Sequence, residues 1–264
     1  MKGVILAGGQ GNRLKPLTEV TNKHLLPIYN KPMIFHPLNT LTQAGIKDIL
    51  IVSGPTHAGS FLQLLGDGRK FGCKLQFTVQ EKAEGIAHAV GLTKNFVQDE
   101  SFAVILGDNI YEDDLSKEIK NHEGKKGAHV FLKELEDANR FGVAELDGEK
   151  VIGIEEKPKQ PKSNYAVTGL YLFDNNAFNI ITGLSPSNRG EYEITDVNNE
   201  YIKNNALTAT ILKKRWTDAG TFESLFRAGV IARDIHIDDN YQGRKHKDLK
   251  EKMPSYSGNP IPTN

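Results

Sequence analysis

Apolar and polar positions follow two rhythms along the chain. Up to about residue 107, unbroken apolar runs alternate with stretches of helical spacing. Residues 3–7, Gly-Val-Ile-Leu-Ala, predict a buried strand. Over 33–44, Met33, Ile34, Pro37, Leu38 and Leu41 recur near helical spacing, with Gly45 as the stop. Residues 47–53 then predict a strand, 60–65 a short helix closed by Gly66-Asp67-Gly68, and 75–79 a strand ending at Gln80. A helix over 85–95 and a strand over 102–106, ending at Gly107-Asp108-Asn109, complete this half. Pro27 and Pro32 keep residues 25–31 extended, because residues before proline avoid the helical region.

After Gly127 the pattern becomes strand after strand: 128–135, 141–146, 151–155 and 165–173. Along 165–171, two-residue alternation puts Val167, Gly169 and Tyr171 on one face, with Leu170 and Leu172 on the other. Helical patterns return at 177–182 and 194–204, a strand at 207–212 leads into Trp216-Thr217-Asp218-Ala219-Gly220, and a helix follows at 222–233. The fold expected is α/β: a mostly parallel mixed sheet flanked by helices, with a small antiparallel insertion. Ligands of such sheets bind at the carboxyl ends of the strands, which places Gly8, Gln80 and Asp108 on one rim. One domain is expected over 1–235, with the insertion at about 127–190, and a polar, solvated tail over 236–264 containing Arg244-Lys245-His246-Lys247.

Composition narrows the function classes. A chain of 264 residues can bury a sizeable core. Lys plus Arg and Asp plus Glu each total 33, so no basic field invites nucleic acid or an anionic membrane. Cys73 is alone, which excludes a disulfide framework within the chain. No apolar run approaches the roughly 18 residues of a membrane span. The opening, Lys2 and a short apolar run, is too short for a signal peptide. A cytoplasmic enzyme is the expectation.

The chemistry gathers in the first two dozen residues. Gly8, Gly9 and Gly11 let backbone N–H groups approach a ligand and form a nest for anionic oxygens. Arg13 adds a planar fork suited to phosphate, and Lys23 a compact point charge. No Lys-Ser/Thr follows Gly11, so the Walker pattern is absent; Leu14 stands where a dinucleotide loop needs its third glycine. Asp108 and Asp218, on a shared rim, suit Mg²⁺, which takes one or two carboxylates plus phosphate oxygens and water; aspartates capping turns are the alternative. The eight histidines show no metal-ligand spacing.

The string Leu-Ala-Gly-Gly-x-Gly-x-Arg-Leu, then Pro-x-Thr and a lysine before Leu-Leu-Pro, resembles the sugar-1-phosphate nucleotidylyltransferase family. The similarity runs over about 2–234 and implies a Rossmann-like fold whose insertion binds sugar. It implies a nucleotide site of Leu6, Ala7, Gly8, Gly9, Gly11, Asn12, Arg13, Lys23, His24, Gln80, Gly85 and Asp108. It further implies a sugar-phosphate site of Asn109, Gly142, Glu156, Lys157, Val167, Tyr171 and Arg189. Arg13, Lys23 and Lys157 are the implied catalytic residues, and Asp108 and Asp218 the implied Mg²⁺ ligands. The implied reaction takes a thymidylyl group from dTTP to α-D-glucose 1-phosphate, giving dTDP-glucose and pyrophosphate for deoxysugar and polysaccharide biosynthesis. UTP, another sugar 1-phosphate, and a non-catalytic sugar-nucleotide sensor are the alternatives. His24 stands where many relatives carry Gln, and Phe141 where they carry Tyr. The resemblance also implies a homotetramer or dimer. Longer members add C-terminal helices around a regulatory nucleotide site, so reduced or different regulation is expected here.

Overall fold

The computed structural model describes residues 1–235. In chain order its elements are β1 (Lys2–Ala7), β2 (Pro27–Ile28), β3 (Lys31–Pro32), α1 (Phe35–Gln43), β4 (Asp48–Ser53), α2 (Ala58–Leu65) and β5 (Lys74–Val79). Then come α3 (Ile86–Gly91), α4 (Lys94–Val97), β6 (Phe102–Leu106), β7 (Asn109–Tyr111), α5 (Ser116–His122), β8 (Ala128–Glu134), β9 (Gly142–Asp147) and β10 (Lys150–Glu156). The last are β11 (Tyr165–Phe173), α6 (Ala177–Thr182), α7 (Ile194–Lys203), β12 (Leu207–Ile211), β13 (Trp216–Asp218) and α8 (Phe222–Asp234). The tail expected over 236–264 lies outside the described residues. No helix among them is long and apolar enough to cross a membrane.

One mixed sheet of nine strands runs through the molecule. Its parallel half reads β5-β4-β1-β6, and β11 joins β6 antiparallel. The strands expected as an insertion beside the sheet are continuous with it. They meet it along β11, whose nine residues pair with three strands. β8 takes one edge of β11 at both ends, from Tyr165↔Glu134 to Phe173↔Ala128, and β12 runs parallel beyond β8. β6 and β9 therefore share the other edge: β6 pairs with Leu170–Phe173, and β9 touches it at Ala166↔Val143. Between them β11 is forked open, and a register irregularity between Val167 and Tyr171 falls at the same place. The fork makes room for a ligand inside what is otherwise a continuous sheet.

Alternation along the strands fills both faces. Val4, Leu6, Val104, Val130, Tyr171 and Phe173 point to one core, covered by α3, α6 and α7. Ile5, Ile49, Ile51, Ile105, Leu170 and Leu172 point to the other, covered by α1 and α2. The predicted split of β11 into two faces is seen directly. A smaller cluster of Leu14, Ile28, Met33, Ala228 and Ile231 seats α8 against the β2–β3 hairpin, and so anchors the glycine loop from behind.

Two local expectations change. The helix predicted over 85–95 is two short helices, because Thr93 turns its hydroxyl back to the Val90 carbonyl (2.7 Å) and breaks the ladder. It starts at Ile86, since Gly85 has φ +103. α5 and the β7–β13 pair were not legible: α5 buries only Ile119 and His122, and β7 and β13 are three residues each.

Candidate active site

The glycine loop leaves β1 at its carboxyl end and folds back on itself. Gly11 has φ +68, and a Cβ there would stand 2.9 Å from Thr18 Cγ2 and 3.0 Å from Lys23 Cβ. The Thr18 hydroxyl closes the loop by donating to the Gly11 carbonyl (2.8 Å). Asn22 fixes the far side: its amide donates to the Ala7 carbonyl (3.3 Å), and its oxygen accepts from the His24 backbone N–H (2.9 Å). Lys23 is thereby aimed across Gly9, whose absent side chain leaves room for it, and its Nζ reaches Asp108 Oδ2 at 2.5 Å.

Asp108 follows β6 and is 8% exposed. Burial opposes its ionisation, but the Lys23 ammonium and hydrogen bonds from Lys23 and Asn109 hold its carboxyl well below the usual range. The β7–β13 ladder, with Asn109 opposite Asp218, carries the second carboxylate to the same place. The Ala219 N–H donates to the Asp108 carbonyl (2.8 Å) and locks the two turns together. Burial and the neighbouring Asp108 push the Asp218 carboxyl upward, against the pull of Arg140 and Arg13. Gly220 is required here, since its Cβ would meet Arg13 Nη2 and Asp218 Oδ2, each at 2.8 Å. Two hard carboxylates that repel one another, facing an open cleft, are a donor set that fits a divalent cation completed by phosphate oxygens.

Two clefts flank this rim. One is lined by Gly8, Gly9, Gln10, Asn22, Gly54 and Gln80. The other is lined by Arg13, Asp108, Asn109, Gly142, Glu156, Lys157, Val167, Gly169, Tyr171, Arg189 and Asp218, and occupies the fork in β11. Within the fork, Asn109 Oδ1 accepts from the Gly169 N–H (2.9 Å) and the Trp216 indole (2.8 Å). Glu156 accepts from the Thr195 hydroxyl (2.6 Å) and lies 3.3 Å from Lys157 Nζ. Arg189 is held against Glu193 (2.9 Å) and Glu191 (3.0 Å). Tyr171 lies buried, stacked on Phe173 at 6.0 Å.

Most residues singled out in the sequence line these clefts; Leu6, Ala7, Gly11, Asn12, Lys23, His24 and Gly85 stand back from the walls. Leu6 and Ala7 are buried at the end of β1 and carry the loop. His24 is 2% exposed, its Nδ1 is 2.7 Å from Asn22 Oδ1, and burial and Lys23 push its pKa down to about 3. A neutral ring packed behind Gly107 shapes the turn that presents Lys23. Gly85 does not expose its open side to the cleft: a Cβ there would meet the Tyr192 carbonyl at 2.5 Å, so chain packing requires the glycine. Its carbonyl accepts from Gln80 Nε2 (3.2 Å), which orients the glutamine. Asn12 opens the short turn that carries Arg13.

Sequence reasoning missed Arg140, Glu191, Glu193 and Trp216, which all line the fork. Trp216 was within reach, because it opens the Trp-x-Asp-x-Gly motif. The others sit in turns, where no periodicity marks a side chain that faces inward.

Residues 2–234 match the nucleotidyl transferase family. A glucose-1-phosphate thymidylyltransferase of Mycolicibacterium smegmatis is 43% identical over 241 residues, covering 90% of this chain and 84% of that protein. One from Neisseria gonorrhoeae is 45% identical over 240 residues, covering 89% and 83%. Among solved structures, a Bacillus anthracis chain described as a glucose-1-phosphate thymidylyltransferase, in complex with sucrose, has a TM-score of 0.87. It is 51% identical, covering 92% of this chain and all (100%) of its own. A UDP-glucose pyrophosphorylase complexed with UDP-glucose has a TM-score of 0.77 at 25% identity, covering 88% and 98%. Family match, sheet and rim agree: the chain belongs to the nucleotidyl transferase family.

Proposed function

We propose that the protein transfers a thymidylyl group from dTTP to α-D-glucose 1-phosphate, releasing pyrophosphate and leaving dTDP-glucose. One observation carries this reading: Lys23 passes against Gly9 of the glycine-loop cleft and pairs with Asp108 of the fork in β11, where Asp218 and Arg13 also stand. A triphosphate in the first cleft and a sugar phosphate in the second would have their phosphates side by side there. The thymidylyl and glucose assignments rest on the printed activity of relatives 41–45% identical to this chain.

The attacking group needs no general base, since a phosphomonoester has a second pKa of about 6 and is largely dianionic near neutrality. The difficulty is joining two anions. The Gly8–Gly11 amides and Arg13 hold the triphosphate, and Lys23 neutralises charge as pyrophosphate leaves. Lys157, with Arg189, grips the sugar phosphate and aims its oxygen in line with the leaving group. Glu156 and Asn109 hold sugar hydroxyls, and Gln80 offers donor and acceptor to the base edge. Mg²⁺ on Asp108 and Asp218, when bound, would spread the charge developing at the α-phosphate. A cytoplasmic location belongs to the same reading, and the single cysteine, Cys73, suits a compartment in which thiols stay reduced.

A pyrophosphate-release assay over a panel of nucleoside triphosphates and sugar 1-phosphates tests the reading. The pair dTTP and glucose 1-phosphate is expected to give the highest kcat/KM. A higher value with UTP would move the protein to UDP-sugar synthesis, and no release from any pair would end the proposal.

A further inference from the structure

Arg140 occupies a position that the reaction just described does not use. It ends the short turn Ala138–Arg140, immediately before the chain enters β9 at Gly142. Its Nη1 donates to Asp137 (2.7 Å), and its guanidinium lies 5.3 Å from the centre of the Phe141 ring, so the arm is held on two sides. Its Nη2 projects into the fork beside the rim. That nitrogen is buried, has no hydrogen-bond partner, and lies 3.7 Å from Asp218 Oδ1. At that distance the pair attracts by charge without a hydrogen bond. Arg13 approaches the same carboxylate from the side of Oδ2, over Gly220.

We propose that Arg140 is a placeholder cation for Asp218: its guanidinium neutralises Oδ1 while the cleft is empty, and a divalent cation must displace it to bind. The inference rests on the reading of Asp218 as a metal carboxylate. The Arg140 side chain is partly exposed, but its Nη2 is buried, and a buried donor without a hydrogen-bond acceptor is costly unless something pairs with it in another state. Once the metal takes Asp218, Nη2 faces the side of the fork where the sugar phosphate and Lys157 meet, and a phosphate oxygen satisfies it. Arg140 is thus a positioning residue for the metal before it is a partner for substrate. Because the guanidinium is planar, Nη2 leaves Asp218 only as the whole group pivots about its Asp137 contact.

The test is Mn²⁺ affinity measured by electron paramagnetic resonance in the absence of nucleotide, alongside steady-state kinetics. Arg140→Gln removes the competitor, so Mn²⁺ is expected to bind about fivefold or more tightly, while kcat falls about tenfold or more. Tighter metal with slower turnover is a combination that a purely structural role does not produce. Asp137→Asn, at a half-exposed site outside the cleft, loosens the same arm and is expected to tighten Mn²⁺ binding in the same direction. Arg140→Lys keeps the charge and is expected to leave Mn²⁺ affinity within about twofold. Unchanged or weaker Mn²⁺ binding in both Arg140→Gln and Asp137→Asn overturns the proposal. Asp218→Asn separates the two ideas: if it fails to weaken Mn²⁺, the metal reading itself falls.

Discussion

Asp218, Arg13 and Gly220 form the tightest point of the rim, and their interdependence shows what a single residue contributes. Gly220 leaves the space in which Arg13 and the carboxylate approach each other. Replacing the arginine removes a fixed charge where, in the proposed reaction, the triphosphate sheds pyrophosphate. Arg13→Ala is expected to cut kcat by about two orders of magnitude or more, the scale of one lost charge-stabilising donor. Glucose 1-phosphate, which the proposed reading places against Lys157, should still bind by titration calorimetry. Near-normal turnover would remove Arg13 from the reaction. Arg13 and Asp218 were legible in the sequence, the one from the glycine loop after the first apolar run and the other from closing an apolar stretch beside Gly220, local patterns that survive without coordinates. Arg140 and Glu193 were not, because an arginine or glutamate in a turn looks the same whether it faces water or a cleft.

Among elements, β11 shapes the proposed sugar site. It holds β8 along one edge and is shared on the other by β6 and β9, and the gap between those two is the fork. Gly169 lies in that gap, with its missing side chain filled by Asn109: a Cβ would stand 2.7 Å from the amide carbon, nitrogen and oxygen. Gly169→Ala must therefore displace Asn109 from the Gly169 and Trp216 hydrogen bonds. A loss of about 1–3 kcal/mol is expected in urea unfolding, the scale of overpacking a core, with a raised KM for the sugar phosphate. An unchanged unfolding midpoint would mean that Asn109 is not pinned there. The face on which Gly169 lies could be read from two-residue alternation. The fork could not, since it depends on pairings between residues 23 to 71 positions apart. The β7–β13 ladder that unites Asp108 with Asp218 was hidden for the same reason, compounded by its three-residue strands.

The whole molecule carries equal numbers of acidic and basic side chains, 33 each, so substrate anions are met by charges concentrated at the rim rather than by a global field. Its pH response follows from buried histidines. Burial and Lys31 push His36 down to about 4, and burial with His122 and Lys125 nearby pushes His129 down to about 4. In the unfolded chain both return to about 6.5. The unfolded state then binds more protons below that value, so stability should fall as pH drops from about 6.5 towards 4. His36→Gln is expected to reduce the slope of unfolding free energy against pH by about one proton in that range. An identical slope would show that His36 does not stay neutral in the folded protein. The proposed reaction is direct attack of one phosphate on another, with no covalent enzyme intermediate. The stereochemical course at the α-phosphorus, followed with a chiral α-thio analogue of dTTP, tests that claim most directly: a single in-line displacement inverts the configuration, and retention would demand a nucleotidyl-enzyme intermediate and contradict it.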